Sequence, residues 1–264
     1  MKESQVEKDL GEAPFRHKHL RRGVFVLPSL FTVGNIFCGY YAILSTMHGN
    51  FGQAAHAIGI AIMLDILDGR IARLTNSSTG FGLQLDSLAD VISFGIAPSV
   101  LALVWGLSAA DQRLAWIAAF TFAICGAMRL ARFNVQAGNL KHFVGLPIPA
   151  GGGAIAAIVH FFSDPIQSPS GSSLMVATVF FLSFLMISTI RYSSFKNLTL
   201  GRKSHFTILV MALLVALVVF ISKPTLLALA AAYVVSGPVT RIYGIIRRKK
   251  PSEEMTLADS MQHH

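Results

Sequence analysis

The chain has 264 residues, of which 53% are hydrophobic and only 13% are charged, and its mean hydropathy is +0.58. Soluble globular proteins usually have about a quarter charged residues. This composition excludes an ordinary soluble domain and indicates an integral membrane protein. The formal net charge of +9 does not indicate a nucleic-acid partner, because no soluble basic domain is left once the apolar stretches are set aside.

Six stretches with little or no charge have about the length that is needed to cross roughly 30 Å of hydrocarbon, and two more are shorter or carry charges near an end; together they give eight predicted spans. They predict an all-α, polytopic transmembrane helix bundle. Eight crossings leave both termini on the same side of the membrane. The predicted spans are residues 24–48, 53–74, 86–108, 113–135, 147–163, 173–191, 205–222 and 224–246.

Positive charges are distributed unequally between the two sides of this predicted bundle. All Lys and Arg residues except Arg113 and Lys223 fall on the side that carries the termini. The positive-inside rule assigns that side to the cytoplasm. We therefore predict a multi-pass protein of the inner (plasma) membrane, with three parts: a cytoplasmic N-terminal tail (1–23), a transmembrane domain (24–246) and a cytoplasmic C-terminal tail (247–264).

Four acidic residues lie at the predicted cytoplasmic ends of the second and third spans. Asp65 and Asp68 are spaced i, i+3, and Asp86 and Asp90 are spaced i, i+4, so each pair lies on one helix face. The link of residues 75–85 is short, and it makes the two helices antiparallel neighbours whose acidic faces are expected to meet. Intramembrane carboxylates are costly, so these four indicate function.

Four converging carboxylates repel one another strongly unless they are protonated or cations hold them together. Cations are the simpler explanation, and oxygen ligands select Mg²⁺ or Mn²⁺, with Ca²⁺ as another occupant. Two such ions that bridge a diphosphate assist displacement at phosphorus. Gly69 and Gly82 remove side chains beside the acids, and Arg73 at the helix end is suited to a phosphate oxygen.

Written out, the segment reads Asp65-x2-Asp68-Gly69-x2-Ala72-Arg73-x8-Gly82-x3-Asp86-x3-Asp90. It resembles the signature of the CDP-alcohol phosphatidyltransferases at every fixed position. The resemblance implies a membrane enzyme that transfers a phosphatidyl group from a CDP-activated lipid to an alcohol. It also implies a homodimer among membrane lipids.

The same resemblance implies a role for each matching residue. Asp65, Asp68 and Asp86 would bind the metal that holds the CDP diphosphate. Asp90 would contact a second metal and would act as the general base for the acceptor hydroxyl. The residues implied for the CDP-lipid pocket are Gly69, Arg73, Thr79, Gly82, Pro28 and Thr32.

Four further segments, residues 27–35, 93–99, 129–134 and 145–149, are similar to the membrane-type phosphatidylserine synthases of bacteria and archaea. Ser29 departs from that pattern, since an asparagine commonly follows the proline there. The similarity implies CDP-diacylglycerol and L-serine as substrates.

Arg129 and Arg132 are spaced i, i+3 at the end of the fourth predicted span, so both could face one cavity. They are candidates for binding the serine carboxylate or a lipid phosphate. Asn134 and Lys141 follow in the same segment and are further candidates.

Two alternatives remain open from the residues alone. Glycerol 3-phosphate or inositol phosphate could be the acceptor, although a phosphorylated alcohol needs more basic side chains near Asp90 than serine does. An ion-coupled transporter would also have intramembrane carboxylates. Against a transporter, the acids cluster at the cytoplasmic edge, and no paired broken helices indicate inverted repeats.

Overall fold

The structure, a computed structural model, describes residues 22–74, 79–136, 145–190, 192 and 223–248. Every regular element within these ranges is helical, which confirms the predicted all-α class. A π-helical segment, Val91–Ile96, joins the third helix to the fourth. The helices are α1 (Arg22–Met47), α2 (Phe51–Leu74), α3 (Gly80–Asp90), α4 (Ala97–Gly106), α5 (Gln112–Gln136), α6 (Ile148–Phe162), α7 (Pro169–Ile187) and α8 (Lys223–Arg248).

Seven of the eight predicted spans fall on these helices, and the stretch 205–222 lies outside the described residues. Four helical stretches of the described chain are long and apolar enough to cross a membrane, and α6 is a shorter apolar helix. The chain is therefore a polytopic membrane helix bundle. The four long stretches are Leu30–Met47, Gly80–Gly106, Gln112–Val135 and Pro169–Ile187.

The third span begins earlier than residue 86, where hydropathy alone would start it, and the predicted link 75–85 is correspondingly too long. The structure begins α3 at Gly80. Thr79 precedes it with an extended backbone, and its hydroxyl oxygen accepts a hydrogen bond from the Gly82 N–H at 3.0 Å. A threonine cap satisfies one of the free N–H groups of the first turn, so the helix starts inside this glycine-rich stretch.

The π-helical segment follows Asp90 directly and continues into α4, so that α3, the segment and α4 form one apolar rod from Gly80 to Gly106. Single π turns inside α-helices frequently occur at functional sites. The segment buries Phe94, and α6 approaches its backbone closely, because a Cβ atom at Gly152 would lie 2.9 Å from the Phe94 carbonyl oxygen. The rod is thereby held in the middle of the bundle.

The other helices surround this rod. It contacts α1, α5 and α6, while α1 packs along α2, α5 packs along α7, and α6 also contacts α2 and α8. The core includes the fully buried side chains of Trp105 and Phe122. Large apolar side chains such as Phe37, Trp116 and Phe184 stay exposed, as expected for surfaces that face lipid tails.

The turn before α6 is fastened to the end of α7. The Gly145 N–H donates to the Ile190 carbonyl oxygen at 2.8 Å, and the Leu146 N–H donates to the Leu185 carbonyl oxygen at 3.0 Å. Gly145 has a φ of +84°, and a Cβ atom there would overlap the Met186 carbonyl oxygen. Glycine is therefore required at this turn by both its conformation and its surroundings.

The helix α8 contains Pro238. Proline has no N–H, so the carbonyl oxygen of Val234, four residues earlier, lacks its helical donor. The Tyr192 hydroxyl donates to this oxygen at 3.1 Å. The Tyr192 ring also packs 5.8 Å from the ring of Tyr233 between centroids, and it occupies the space over Gly237. Tyr192, which follows α7, thereby fixes α8 to the bundle.

Candidate active site

Three carboxylates from α2 and α3 converge at one point. One oxygen of each of Asp65, Asp68 and Asp86 lies within 4.8 Å of the other two. Two oxygens that bind one Mg²⁺ or Ca²⁺ ion, at about 2.0 to 2.6 Å from it, lie at most about 5 Å apart. The two acidic faces thus meet, and these three side chains could hold one divalent cation.

Asp90 lies beside this group, one turn after Asp86 on the same rod, and its side chain is buried. Its carboxyl group interacts with that of Asp65. It also interacts with the guanidinium of Arg129, which is buried on α5. Asp90 therefore interacts both with the converging carboxylates and with a buried positive charge.

Several buried polar atoms around the acids have no hydrogen-bond partner among the residues that the structure describes. They are Oδ1 of Asp86, Oδ1 of Asp90, Nε of Arg129 and both side-chain polar atoms of Asn35. Most buried polar groups in proteins are paired, so an unpaired cluster requires an explanation. Clustered carboxylate oxygens with unused lone pairs match the ligands that hard divalent cations prefer. The residues present therefore fit such a cation.

Thr32 on α1 holds one of these carboxylates in place. Its hydroxyl donates to Oδ2 of Asp68 at 2.9 Å, and both side chains are buried. Hydrogen bonds of this kind orient carboxylates around bound metals. The sequence predicts Thr32 in the CDP-lipid pocket, and in the structure its hydroxyl proton is directed at Asp68.

The other predicted pocket residues lie in α1 and α2 and at the start of α3, the helices that supply Thr32 and the carboxylates. Gly69 follows Asp68 in α2, and Gly82 lies in the first turn of α3. Thr79 is exposed, and its oxygen caps α3. The backbones of Pro28 and Arg73 belong to α1 and α2, whereas their side chains lie outside the described part of the structure.

The predicted acceptor-binding residues differ in where they point. Arg129 interacts with Asp90. In contrast, Nη1 of Arg132 donates to the carbonyl oxygen at Ile187, the last residue of α7, at 3.1 Å. Asn134 donates from Nδ2 to the Ser87 hydroxyl oxygen at 2.8 Å and so ties α5 to α3. Lys141 lies outside the described residues.

Two residues to which the sequence analysis assigned no role also lie at this site. The Tyr233 side chain of α8 interacts with the Arg129 guanidinium, a placement that depends on tertiary packing and leaves no sequence signal. Asn35 is buried on α1, three residues after Thr32. A polar amide at that spacing in an apolar span is a signal that could have identified it.

Comparison with known proteins agrees with this geometry. Residues 25–187 match the family model of the CDP-alcohol phosphatidyltransferases. The chain is 38% identical over 165 residues to the CDP-diacylglycerol–serine O-phosphatidyltransferase of Bacillus subtilis, which covers 60% of this chain and 90% of that protein. It is 34% identical over 232 residues to the protein of that name from Helicobacter pylori, covering 85% of this chain and 91% of that protein.

An archaeal relative carries a different name. The archaetidylserine synthase of Methanothermobacter thermautotrophicus is 37% identical over 142 residues, which cover 52% of this chain and 60% of that protein. The match to the family model spans more than half of the chain and includes all four aspartates of the site. The chain belongs to the CDP-alcohol phosphatidyltransferase family.

Proposed function

We propose that this chain is a CDP-diacylglycerol–serine O-phosphatidyltransferase, which transfers the phosphatidyl group of CDP-diacylglycerol to the hydroxyl of L-serine and releases CMP. The convergence of Asp65, Asp68 and Asp86 within a chain of this family carries the proposal. Two relatives that are matched over 90% and 91% of their own lengths have this name. Family membership favours a transferase over an ion-coupled transporter.

Asp65, Asp68 and Asp86 would hold one Mg²⁺ or Mn²⁺ ion, and Asp90 would help to hold a second. Such ions supply positive charge that neutralises the diphosphate and stabilises CMP as the leaving group. The unpaired oxygens of Asp86 and Asp90 support this assignment. Thr32 would keep Asp68 oriented toward the ion, since its hydroxyl already donates to that carboxylate.

The rest of the pocket would bind the CDP-lipid and position its phosphorus. Arg73 would bind a phosphate oxygen in bidentate fashion. Small side chains beside the acids would let the nucleotide approach the helix backbones. The remaining residues proposed for this pocket are Gly69, Gly82, Thr79, Pro28 and Thr32.

Asp90 would accept the proton of the serine hydroxyl while the hydroxyl oxygen attacks the phosphorus that carries the lipid. The new bond joins the serine oxygen to phosphorus, and the bond between that phosphorus and the CMP oxygen breaks. The position of Asp90 supports this role, because it is buried one turn after Asp86 on the same rod and a general base must lie within reach of the reacting hydroxyl.

Arg129 would bind the serine carboxylate, because it is buried near Asp90 and its Nε atom has no partner within the described residues. Arg132, Asn134 and Lys141 would complete the acceptor side. Arg132 already binds the end of α7 through Nη1. This engagement favours a carboxylate over a phosphorylated acceptor, which needs several basic groups at once.

We further propose a homodimer with eight spans in the inner (plasma) membrane. The stretch 205–222 would supply the remaining span, and the tails 1–23 and 247–264 would lie in the cytoplasm with the active site facing them. The bias of Lys and Arg toward that side supports this orientation. Because one archaeal relative is named an archaetidylserine synthase, the lipid backbone of the substrate is to be assigned by assay.

The proposal is tested by measuring CMP release from CDP-diacylglycerol by the purified protein in detergent with Mg²⁺ or Mn²⁺. Serine, glycerol 3-phosphate and inositol phosphate are supplied in separate reactions, and an archaeal CDP-ether lipid replaces CDP-diacylglycerol in a parallel set. We expect release that depends on serine and is abolished by a chelator. Release with another alcohol alone would keep the reaction and overturn serine as acceptor. No release with any acceptor would overturn the transferase.

A further inference from the structure

Asn35 on α1 is buried in a way that the fold alone does not explain. Its side chain has 0% relative exposure, and neither Oδ1 nor Nδ2 has a hydrogen-bond partner within the described residues. An unpaired amide in an apolar interior costs free energy, whereas an apolar side chain of the same size would not. Both polar atoms of the Asn35 amide are therefore free to pair with a ligand.

The contacts of α1 place Asn35 beside the turn that follows Asp90. Thr32, one turn before Asn35, donates to Asp68. The main-chain oxygen of Asn35 accepts a hydrogen bond of 2.8 Å from the Ser93 hydroxyl, three residues after Asp90 on the central rod. A Cβ atom on Gly39, one turn later, would lie 2.8 Å from the Ser93 Cα atom. One face of α1 thus runs along the carboxylates and then along the turn that follows Asp90.

The amide has both kinds of hydrogen-bonding atom, since Oδ1 accepts and Nδ2 donates. Free L-serine has the matching pair on the carbon next to its CH₂OH group, an ammonium that donates and a carboxylate that accepts. An amide that bound both groups would hold the serine hydroxyl one carbon away and leave it unoccupied. Glycerol 3-phosphate and inositol phosphate offer no ammonium to Oδ1.

We propose that Asn35 binds the amino-acid part of the acceptor, with Oδ1 accepting from the serine ammonium and Nδ2 donating to its carboxylate. This inference rests on the proposed function, because it assigns the serine subsite of the same reaction. Two residues of α1 would then have different roles. Thr32 orients a carboxylate of the metal group, and Asn35 binds the acceptor one turn further along the helix.

The test is the variant Asn35→Leu, which keeps the branched shape of the side chain and removes both polar atoms. The KM for serine should rise at least about tenfold, because two hydrogen bonds to charged groups are lost. The KM for CDP-diacylglycerol and the Mn²⁺ concentration for half-maximal activity should stay unchanged. The melting temperature of the substrate-free protein should stay the same or rise, since an unpaired buried amide has been removed.

Ser172→Ala is the matched control. Ser172 has a fully buried hydroxyl that also has no partner within the described residues, but it lies at the start of α7, near the other end of the bundle. This variant should leave both KM values unchanged. Asn35→Asp is a second test with almost the same shape; it replaces the donor by an acceptor, so the KM for serine should again rise while the KM for CDP-diacylglycerol does not.

The outcomes distinguish this inference from the proposed function. Absence of serine-dependent CMP release by the wild-type protein would overturn the proposed function and the serine subsite with it. Release by the wild type, with an unchanged KM for serine in both Asn35 variants, would overturn the subsite alone. A lower kcat without a change in the KM for serine would mean that Asn35 positions Asp90 and does not bind the acceptor. A lower melting temperature together with a changed Mn²⁺ requirement would mean that Asn35 supports the structure of the metal site.

Discussion

Pro238 and Asp90 lie in two regions where the bundle buries polar atoms, and the chain treats these atoms in opposite ways. At Pro238 the helix loses a donor to the Val234 carbonyl, and the Tyr192 hydroxyl replaces it. Around Asp90, polar atoms of four buried or partly buried side chains have no partner within the described residues. The carbonyl group in the first region has its hydrogen-bond partner within the protein, whereas the polar atoms in the second region are left for a ligand.

This difference separates polar groups that stabilise the fold from polar groups that are kept for chemistry. Seven buried side-chain atoms of the described chain lack a hydrogen-bond partner, and five of them belong to Asn35, Asp86, Asp90 and Arg129. The other two belong to Trp105 and Ser172, near the opposite end of the bundle. An apolar bundle has little tolerance for unpaired groups, so their concentration beside the carboxylates marks the site. Substitutions should therefore affect activity in one region and stability in the other.

The largest effect is expected for Asp90→Asn in the second region. Loss of the proposed general base should lower kcat by about 10²-fold to 10⁴-fold, while CDP-diacylglycerol binding is largely kept. The measurements are CMP release and equilibrium binding of the CDP-lipid. Asp111→Asn is the control, because Asp111 is an exposed acid that caps α5 through the N–H groups of Arg113 and Leu114, and asparagine caps equally well. An Asp90→Asn protein with normal kcat would remove Asp90 from the reaction.

Gly237→Ala should have the next largest effect, and it should act on stability. A Cβ atom at this position would overlap the ring of Tyr192, so the ring or the helix must move. We expect the free energy of unfolding to fall by about 1 to 3 kcal/mol, measured by denaturation in detergent. At Gly59 in α2, a Cβ atom would meet nothing within 4 Å, so Gly59→Ala should be neutral or stabilising. Equal effects at the two glycines would show that Tyr192 does not pack against α8 as described.

Much of this architecture follows from patterns that are local in sequence. Hydropathy locates the long apolar stretches because a membrane span must match the hydrocarbon thickness. The convergence of Asp65, Asp68 and Asp86 follows from the helical period and a short link. Neither pattern needs information about distant parts of the chain, so both could be predicted.

The pairings between distant helices could not be predicted in this way. Asn35 and Ser93 are 58 positions apart, and Tyr192 and Val234 are 42 positions apart. Each contact depends on how several apolar helices pack together, and the faces of an apolar helix look alike in sequence. The π-helical segment after Asp90 has the same difficulty, because an apolar run gives no sign of a locally changed period. The sequence therefore predicts the carboxylates better than the residues that orient them.

Thr32→Val tests a residue that belongs to both kinds of region, since its hydroxyl has a hydrogen-bond partner within the protein and that partner is a carboxylate of the site. Loss of its hydrogen bond to Asp68 should raise the Mn²⁺ concentration for half-maximal activity by about tenfold, with little change in kcat at saturating metal. The measurement is a metal titration of activity. Thr46→Val on the same helix is the control, because its hydroxyl donates to the Ala42 carbonyl oxygen within its own helix. A shift of the same size in both variants would assign the effect to α1 as a whole.

Tyr192→Phe should have the smallest effect, and a double-mutant cycle gives it a specific meaning. The variant keeps the ring and removes the donor to Val234, so the free energy of unfolding should fall by about 1 kcal/mol while kcat is unchanged at permissive temperature. In a Pro238→Ala background, the alanine N–H can restore the helical bond to the Val234 oxygen. Tyr192→Phe should then lower the free energy of unfolding by clearly less, and the difference between the two backgrounds is the coupling energy between Tyr192 and Pro238. If Tyr192→Phe lowers the free energy of unfolding equally in both backgrounds, the hydroxyl does not act by replacing the donor that proline removes. Tyr192 would then stabilise α8 through the packing of its ring alone.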